Sequence, residues 1–216
     1  MKAITFLKPN LVDIEMISDT KSKIVIQPLE RGFGHTLGNA LRRVLLSSLP
    51  GSAVTEVSID NILHEYSTID GVQEDVLEII LNIKKLAVVL HEKDKIEVVL
   101  RKKGKGPVLA SDIEEHPNLE IKNPDFSLAN ITNDKTELVI NLTISQGKGY
   151  QPATKRKFNE LEDLGIGKMQ VDASFTPVEK VSYSFDNARV KQKADLDKLI
   201  IELETNSTIN PEDAIR

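Results

Sequence analysis

The chain has 216 residues, 40% of them hydrophobic, and sets 28 Lys and Arg against 33 Asp and Glu for a net charge of −5. That length allows one large or two small buried cores, and the acidic balance argues against a protein that holds nucleic acid over its whole surface. With no cysteine, no tryptophan and aromatics at 4%, disulfides, thiolate catalysis and cysteine-held metals are excluded, and base-stacking platforms are few. No apolar run approaches the roughly 18 residues of a membrane span, and residues 1–10 are too mixed for a secretory signal, so the expectation is a soluble cytoplasmic protein.

In chain order, residues 11–17 and 22–29 read as strands, the second alternating Ile24 and Ile26 with polar neighbours. Over residues 34–49, Leu37, Leu41, Val44, Leu45 and Leu49 recur at helical spacing until Pro50-Gly51 stops the helix. On a wheel these five fill an arc of roughly 140°, which is a core face or a dimer seam. His35, Asn39, Arg42, Arg43 and Leu46 group opposite, so Leu46 is an apolar residue among polar ones and marks a candidate second contact face. Residues 54–59 read as a strand. Residues 71–86 read as a second helix with Val72, Val76, Ile79, Ile80 and Ile83 on one face, started by Asp70 and Gln73 in capping-box spacing.

Two apolar runs, 86–90 and 95–100, are parted by Glu92-Lys93-Asp94 in the layout of a hairpin. Residues 104–146 read as short strands, with 138–144 alternating most cleanly, and residues 147–168 have loop-like composition. Strands resume at 169–175, 180–185 and 199–204. Asn210-Pro211-Glu212-Asp213 then gives an N-cap, a proline at the first helical position and two acids in the first turn. A helix that short does not support itself, so the natural polypeptide is expected to continue.

The glycines of Glu30-Arg31-Gly32-Phe33-Gly34-His35-Thr36-Leu37-Gly38-Asn39 invite a phosphate-binding reading, but their spacing fits neither a dinucleotide loop nor a P-loop. The stronger reading is that Gly34 and Gly38, four apart on the helix, let another backbone come close. His64-Glu65 lacks the second histidine of a zinc helix, and no Ser-His-Asp arrangement is suggested. The basic run Lys155-Arg156-Lys157 is followed at once by Glu160, Glu162 and Asp163, which favours a solvated loop over a nucleic-acid site. From the residues alone the expectation is an α+β protein without a catalytic constellation.

The run Pro28-Leu29-Glu30-Arg31-Gly32-Phe33-Gly34-His35-Thr36-Leu37-Gly38-Asn39-Ala40-Leu41-Arg42-Arg43, with Leu45-Leu46-Ser47-Ser48, closely resembles the N-terminal domain of bacterial RNA polymerase alpha subunits. So do Ala53-Val54-Thr55-Glu56-Val57, His64-Glu65-Tyr66-Ser67-Thr68, Gly71-Val72-Gln73-Glu74-Asp75, Gly147-Lys148-Gly149-Tyr150, Pro177-Val178-Glu179 and the stretch from Thr205 to Glu212. The resemblance implies two subdomains: a discontinuous helix-and-sheet dimerisation part over residues 1–50 and 170–216, and a β-rich insert over 51–169. It implies a subunit of DNA-directed RNA polymerase, a nucleotidyltransferase, that itself carries no catalytic residue, cofactor or metal. Such a subunit dimerises with a second alpha chain, identical or not, and recruits the beta and then the beta prime subunit.

By matching positions, the resemblance puts Gly34, Leu37, Gly38, Leu41 and Leu45 at the dimer interface. Arg43, Leu46, His64, Glu65, Tyr66 and Lys84 would face beta, and Val178, Glu179, Lys180, Leu196 and Asp197 would face beta prime. Family members usually continue through a linker into a small DNA-binding domain that the matched residues do not include, so no direct DNA contact is expected of this region; no membrane contact is expected either, since no apolar run is long enough. The run Lys155-Arg156-Lys157 matches no motif of the family.

Overall fold

The computed structural model describes residues 11–157, 167–190 and 193–216. Its elements are β1 (Leu11–Ser18), β2 (Lys21–Leu29), α1 (Phe33–Ser47), β3 (Pro50–Ile59), α2 (Val76–Ile83), β4 (Val88–Leu90), β5 (Lys95–Lys103), β6 (Gly106–Leu109), β7 (Leu119–Ile121), β8 (Ser127–Ile131) and β9 (Glu137–Lys148). They continue as β10 (Tyr150–Gln151), α3 (Ala153–Lys157), β11 (Lys168–Gln170), β12 (Ala173–Ser174), β13 (Val178–Val190), β14 (Lys193–Thr205) and α4 (Pro211–Ile215). Among the described residues every strand pairing is antiparallel, and helices pack beside sheets rather than alternating with strands, so the fold is α+β as expected. The chain divides into two compact units, residues up to Leu49 with Pro177–Arg216, and Pro50–Thr176.

The first unit is a four-stranded sheet in the order β1-β2-β14-β13. Strand alternation puts Ser22, Ile24 and Ile26 of β2 on one face, in register with Leu203, Ile201 and Leu199 of β14. The same rows continue into Val181, Tyr183 and Phe185 of β13 and Met16, Ile14 and Val12 of β1. Helix α1 lies over β13 and β14, and Leu29, Leu45, Val178, Val181 and Leu199 join its core. Helix α4 starts as expected, the Asn210 side chain accepting from the Glu212 N–H at 3.1 Å, and tucks Ala214 into the same core.

The second unit is built on the sheet β11-β3-β9-β5, with three two-stranded pairs, β4-β7, β6-β8 and β10-β12. Val76, Ile79, Ile80 and Ile83, at i, i+3, i+4 and i+7, turn one face of α2 into a core with Val57, Leu100, Leu138, Ile140, Leu142 and Ile144. Full burial of each such side chain contributes about 1.5–3 kcal/mol.

Three expectations need correction here. The second helix begins at Val76, not at residue 71, and its cap is Asp75, whose carboxylate accepts from the Glu78 N–H at 2.7 Å. The preceding stretch spends its backbone on a neighbour instead. Gly71 stands at φ +82°, its carbonyl accepts from the Thr132 N–H at 2.8 Å, and the Gln73 N–H donates to the Asn130 carbonyl at 2.9 Å. Nor do β4 and β5 form a hairpin: β4 pairs with β7 and β5 with β9, because Glu92, at φ +61°, and the Asp94 carbonyl bonded to the Gln146 N–H turn the chain into a different sheet. Third, residues 170–176 belong to the second unit rather than with 177–216: Val171 is in its core and Ala173 pairs with Gln151. Of the loop expected over 147–168, β9 runs on to Lys148, and residues 158–166 lie outside the described residues.

Candidate partner-binding surfaces

In the first unit, α1 starts without a side-chain cap of its own. Its N-cap is Gly32 at φ +82°, a conformation that costs little only for glycine. The missing acceptor comes from β14: the Asp197 carboxylate receives the Gly32 N–H at 2.8 Å and the Gly34 N–H at 3.2 Å. The place where a phosphate would sit on a helix N-terminus is thus taken by the chain's own carboxylate.

Gly34 and Gly38 then bring the helix down on its own sheet. A Cβ at Gly34 would stand 3.2 Å from the Asp197 Cβ, and one at Gly38 only 2.6 Å from Tyr183 Cδ2 and 3.0 Å from Leu199 Cδ1. The expectation was another backbone at close approach, but what approaches is side chains of β13 and β14. His35 sits beside them, its ring 5.9 Å from those of both Tyr183 and Phe185.

The expected dimer residues therefore divide. Gly34, Gly38 and Leu45 are buried within the single chain, and Leu37 and Leu41 are half-buried against the first unit's core. Apolar surface does remain on one flank of α1, where Phe33 is 44% and Val44 51% exposed. At about 100° per residue, these two and Leu37 fall within roughly 40° of one another. Arg43 points outward and is exposed. Leu46, expected away from the apolar stripe, is instead half-buried and packed against the same core as Leu45. The wheel assigned it to the polar side because it treats a helix as having one partner, whereas the core wraps further round this one.

Of the residues expected to face beta prime, Glu179 and Lys180 are exposed, while Val178 and Leu196 are buried at 4% and 8% and Asp197 is engaged by α1. Buried strand side chains offer a partner nothing without unfolding, so only the two charged residues present themselves.

In the second unit, Lys84 follows the last residue of α2, and the segment carrying His64, Glu65 and Tyr66 is tied to its first turn. The Val76 N–H donates to the Ser67 carbonyl at 3.2 Å, and the Ser67 hydroxyl lies 3.0 Å from His64 Nδ1. Tyr66 is 80% exposed. The two groups of residues thus flank an eight-residue helix, about 12 Å long. Between them along that helix, Leu77 and Leu81 are exposed at i, i+4. Sequence reasoning named neither leucine, although a helix apolar on two sides was readable from residues 76–83.

Beyond Lys84 stands Asp172. Its Oδ2 is 4.0 Å from the Lys84 Nζ, and its Oδ1 accepts from the Ala153 N–H at 2.8 Å. The Tyr150 hydroxyl also hydrogen-bonds to this carboxylate, and that bond, with desolvation and the same negative charge, raises the phenol above its ordinary value. One carboxylate therefore holds the stretch around Gly147-Lys148-Gly149-Tyr150 against the end of α2. In the basic run, Lys155 is exposed; the side chains of Arg156 and Lys157 lie outside the described residues.

Among the described residues no group of three or more His, Asp and Glu is placed to hold a metal ion, and no helix is long and apolar enough to cross a membrane. Residues 57–176 match the family described as the RNA polymerase Rpb3/RpoA insert domain, which covers almost all of the second unit. The match spans more than half of the chain. Together with the alpha-subunit motifs on α1 and at the start of α2, it makes this protein an RNA polymerase alpha-type subunit, a member of the Rpb3/RpoA insert-domain family.

Proposed function

We propose that the chain is the non-catalytic assembly scaffold of a bacterial DNA-directed RNA polymerase: it dimerises and recruits the beta and beta prime subunits, and nucleotidyl transfer takes place on those larger chains. The observation that carries this reading is the family match over residues 57–176, which makes the chain part of a nucleotidyltransferase complex. Surfaces on each unit, taken separately, support it. The flank of α1 with Phe33, Leu37 and Val44 is apolar, and Phe33 and Val44 stay about half exposed in one chain, as residues at the edge of a seam between two copies would. Arg43 on α1, and His64, Glu65, Tyr66 and Lys84 around Leu77 and Leu81, are the residues that meet beta, with Leu46 acting through the packing of α1. Glu179 and Lys180 meet beta prime.

Such a subunit needs surface rather than reactive groups. An exposed aromatic and two leucines supply the apolar centre of a contact, and the charged residues at its edge set register and partner choice. The complex works in the cytoplasm, and no DNA contact is assigned to the residues present. A native pull-down of the tagged chain, with mass identification of what it retains, is the test. Recovery of beta and beta prime at stoichiometric amounts is expected. Their absence, with the chain folded, would remove the scaffold reading.

A further inference from the structure

The second unit has a groove that none of these surfaces uses. An open cleft of about 660 Å³ is lined by apolar Ile113, Leu119 and Ile121, by acidic Glu114, Glu115 and Glu120, and by His116, from the stretch before β7 and from β7 itself. Strand β7 pairs with β4 alone, so its other edge has no partner strand among the described residues. Two hydrogen bonds set the phase of that edge: Lys122 N–H to the Ala87 carbonyl at 2.8 Å, and His91 N–H to the Asn118 carbonyl at 2.9 Å. Residues 118, 120 and 122 therefore turn their backbone groups toward β4, and Leu119 and Ile121 turn theirs outward. The Leu119 N–H is returned to the His116 carbonyl at 2.9 Å. The Leu119 carbonyl and both backbone groups of Ile121 stay on the open edge, spaced as a third strand would meet them.

Charge chooses the occupant. Lys122 is paired with Glu120, whose other oxygen lies 3.5 Å from His91 Nε2, and Lys102 is paired with Asp112. Its hydrogen bond from Lys122 holds the Glu120 carboxyl below the usual carboxylate range, so it is charged at neutral pH. Glu114 and Glu115 are exposed and pair with no cation among the described residues. Negative charge along an unpaired strand edge repels phosphate and also a second copy of the same edge, which would set Glu120 near Glu120.

We infer that the open edge of β7 receives an extended segment of a partner protein, with Lys or Arg alternating with small apolar residues, as a third strand beside β4. Backbone hydrogen bonds to Leu119 and Ile121 supply the pairing, and the unpaired Glu114 and Glu115 select basic side chains.

The test uses the whole ¹⁵N-labelled chain and two synthetic octapeptides, one alternating Lys with Val and one alternating Glu with Val. The Lys-Val peptide should shift the amides of residues 119–122 and slow hydrogen exchange of the Ile121 N–H by about tenfold or more, while the Glu-Val peptide should do neither. Charge reversal at two exposed positions, Glu114→Lys with Glu115→Lys, should weaken binding about tenfold. Ile121→Pro removes the outward N–H and should weaken it as well, while the charge reversal carries the test if that variant fails to fold. Equal binding of both peptides, binding that leaves Ile121 exchange unchanged, insensitivity to the charge reversal, or no binding at millimolar peptide would each overturn the proposal.

Discussion

Asp197 lies 163 residues from the Gly34 N–H it holds, yet it performs the task that a serine or aspartate usually performs at the residue before a helix. Gly32 cannot cap α1, because it has no side chain, and its left-handed backbone is what brings its N–H and that of Gly34 toward one carboxylate oxygen. Asp197→Ala leaves both donors without their acceptor and should cost about 1–2 kcal/mol, read as a lower urea midpoint with an unchanged slope. An unchanged midpoint would mean that water replaces the carboxylate. Tyr150 gives a second prediction, this one in pH. Its phenol is raised by the bond to Asp172, so the stability this contact contributes is present below the ordinary tyrosine value and is lost as pH rises through the raised one. Following the Tyr150 ring carbon by NMR, the midpoint should lie above the ordinary range and fall back to it in Asp172→Asn. A midpoint that does not respond to Asp172→Asn would refute the contact.

Helix α2 shows how far local pattern reaches. Two aspartates, Asp70 and Asp75, each precede an apolar helical stretch with an acid or amide three residues on, and only contacts distant in sequence distinguish them. Asp75→Ala should cost about 1 kcal/mol, since its carboxylate caps Glu78, whereas Asp70→Ala should stay within about 0.5 kcal/mol because that side chain is exposed. Thermal melts of the two variants decide it, and the reverse ranking would restore the longer helix. Helix α1 was legible because its apolar spacing runs for four turns and Pro50-Gly51 stops it. The partner of β4 was not, because β7 lies about thirty residues further along, and a three-residue turn such as Glu92-Lys93-Asp94 carries no information about which strand its neighbours join. At the candidate surfaces the difficulty was of another kind. Periodicity grouped Leu45 and Leu41 correctly, but one apolar arc reads the same whether it meets its own sheet or another molecule. Only burial shows that the sheet takes Gly34, Gly38 and Leu45.

At the scale of the whole molecule, the first unit joins the two ends of the chain: β2 and β14 are its central strands, and Glu202 pairs with Lys23 across the second unit's entire sequence. Such non-local pairing slows folding, since the intervening residues must be closed into a loop before the sheet rewards them. It also sets what is left for a second copy. With the glycine face of α1 seated on β13 and β14, what this helix offers the proposed dimer is the flank holding Phe33, Leu37 and Val44. In a two-fold arrangement the same patch is used on both copies, so one substitution introduces two like charges into the seam. Val44→Glu should therefore give a monomer by sedimentation equilibrium at concentrations where the unaltered chain is dimeric. Its circular dichroism should not change, because Val44 is half exposed in the single chain and contributes little to that chain's core. Arg43→Ala, one residue earlier but turned away from this flank, should remain dimeric and lose about 2–5 kcal/mol of affinity for beta, the usual result of truncating one partner of a buried charged contact. A Val44→Glu chain that dimerises as well as the original would move the seam off α1. A monomeric Arg43→Ala chain would show that the two sides of the helix do not serve two different partners.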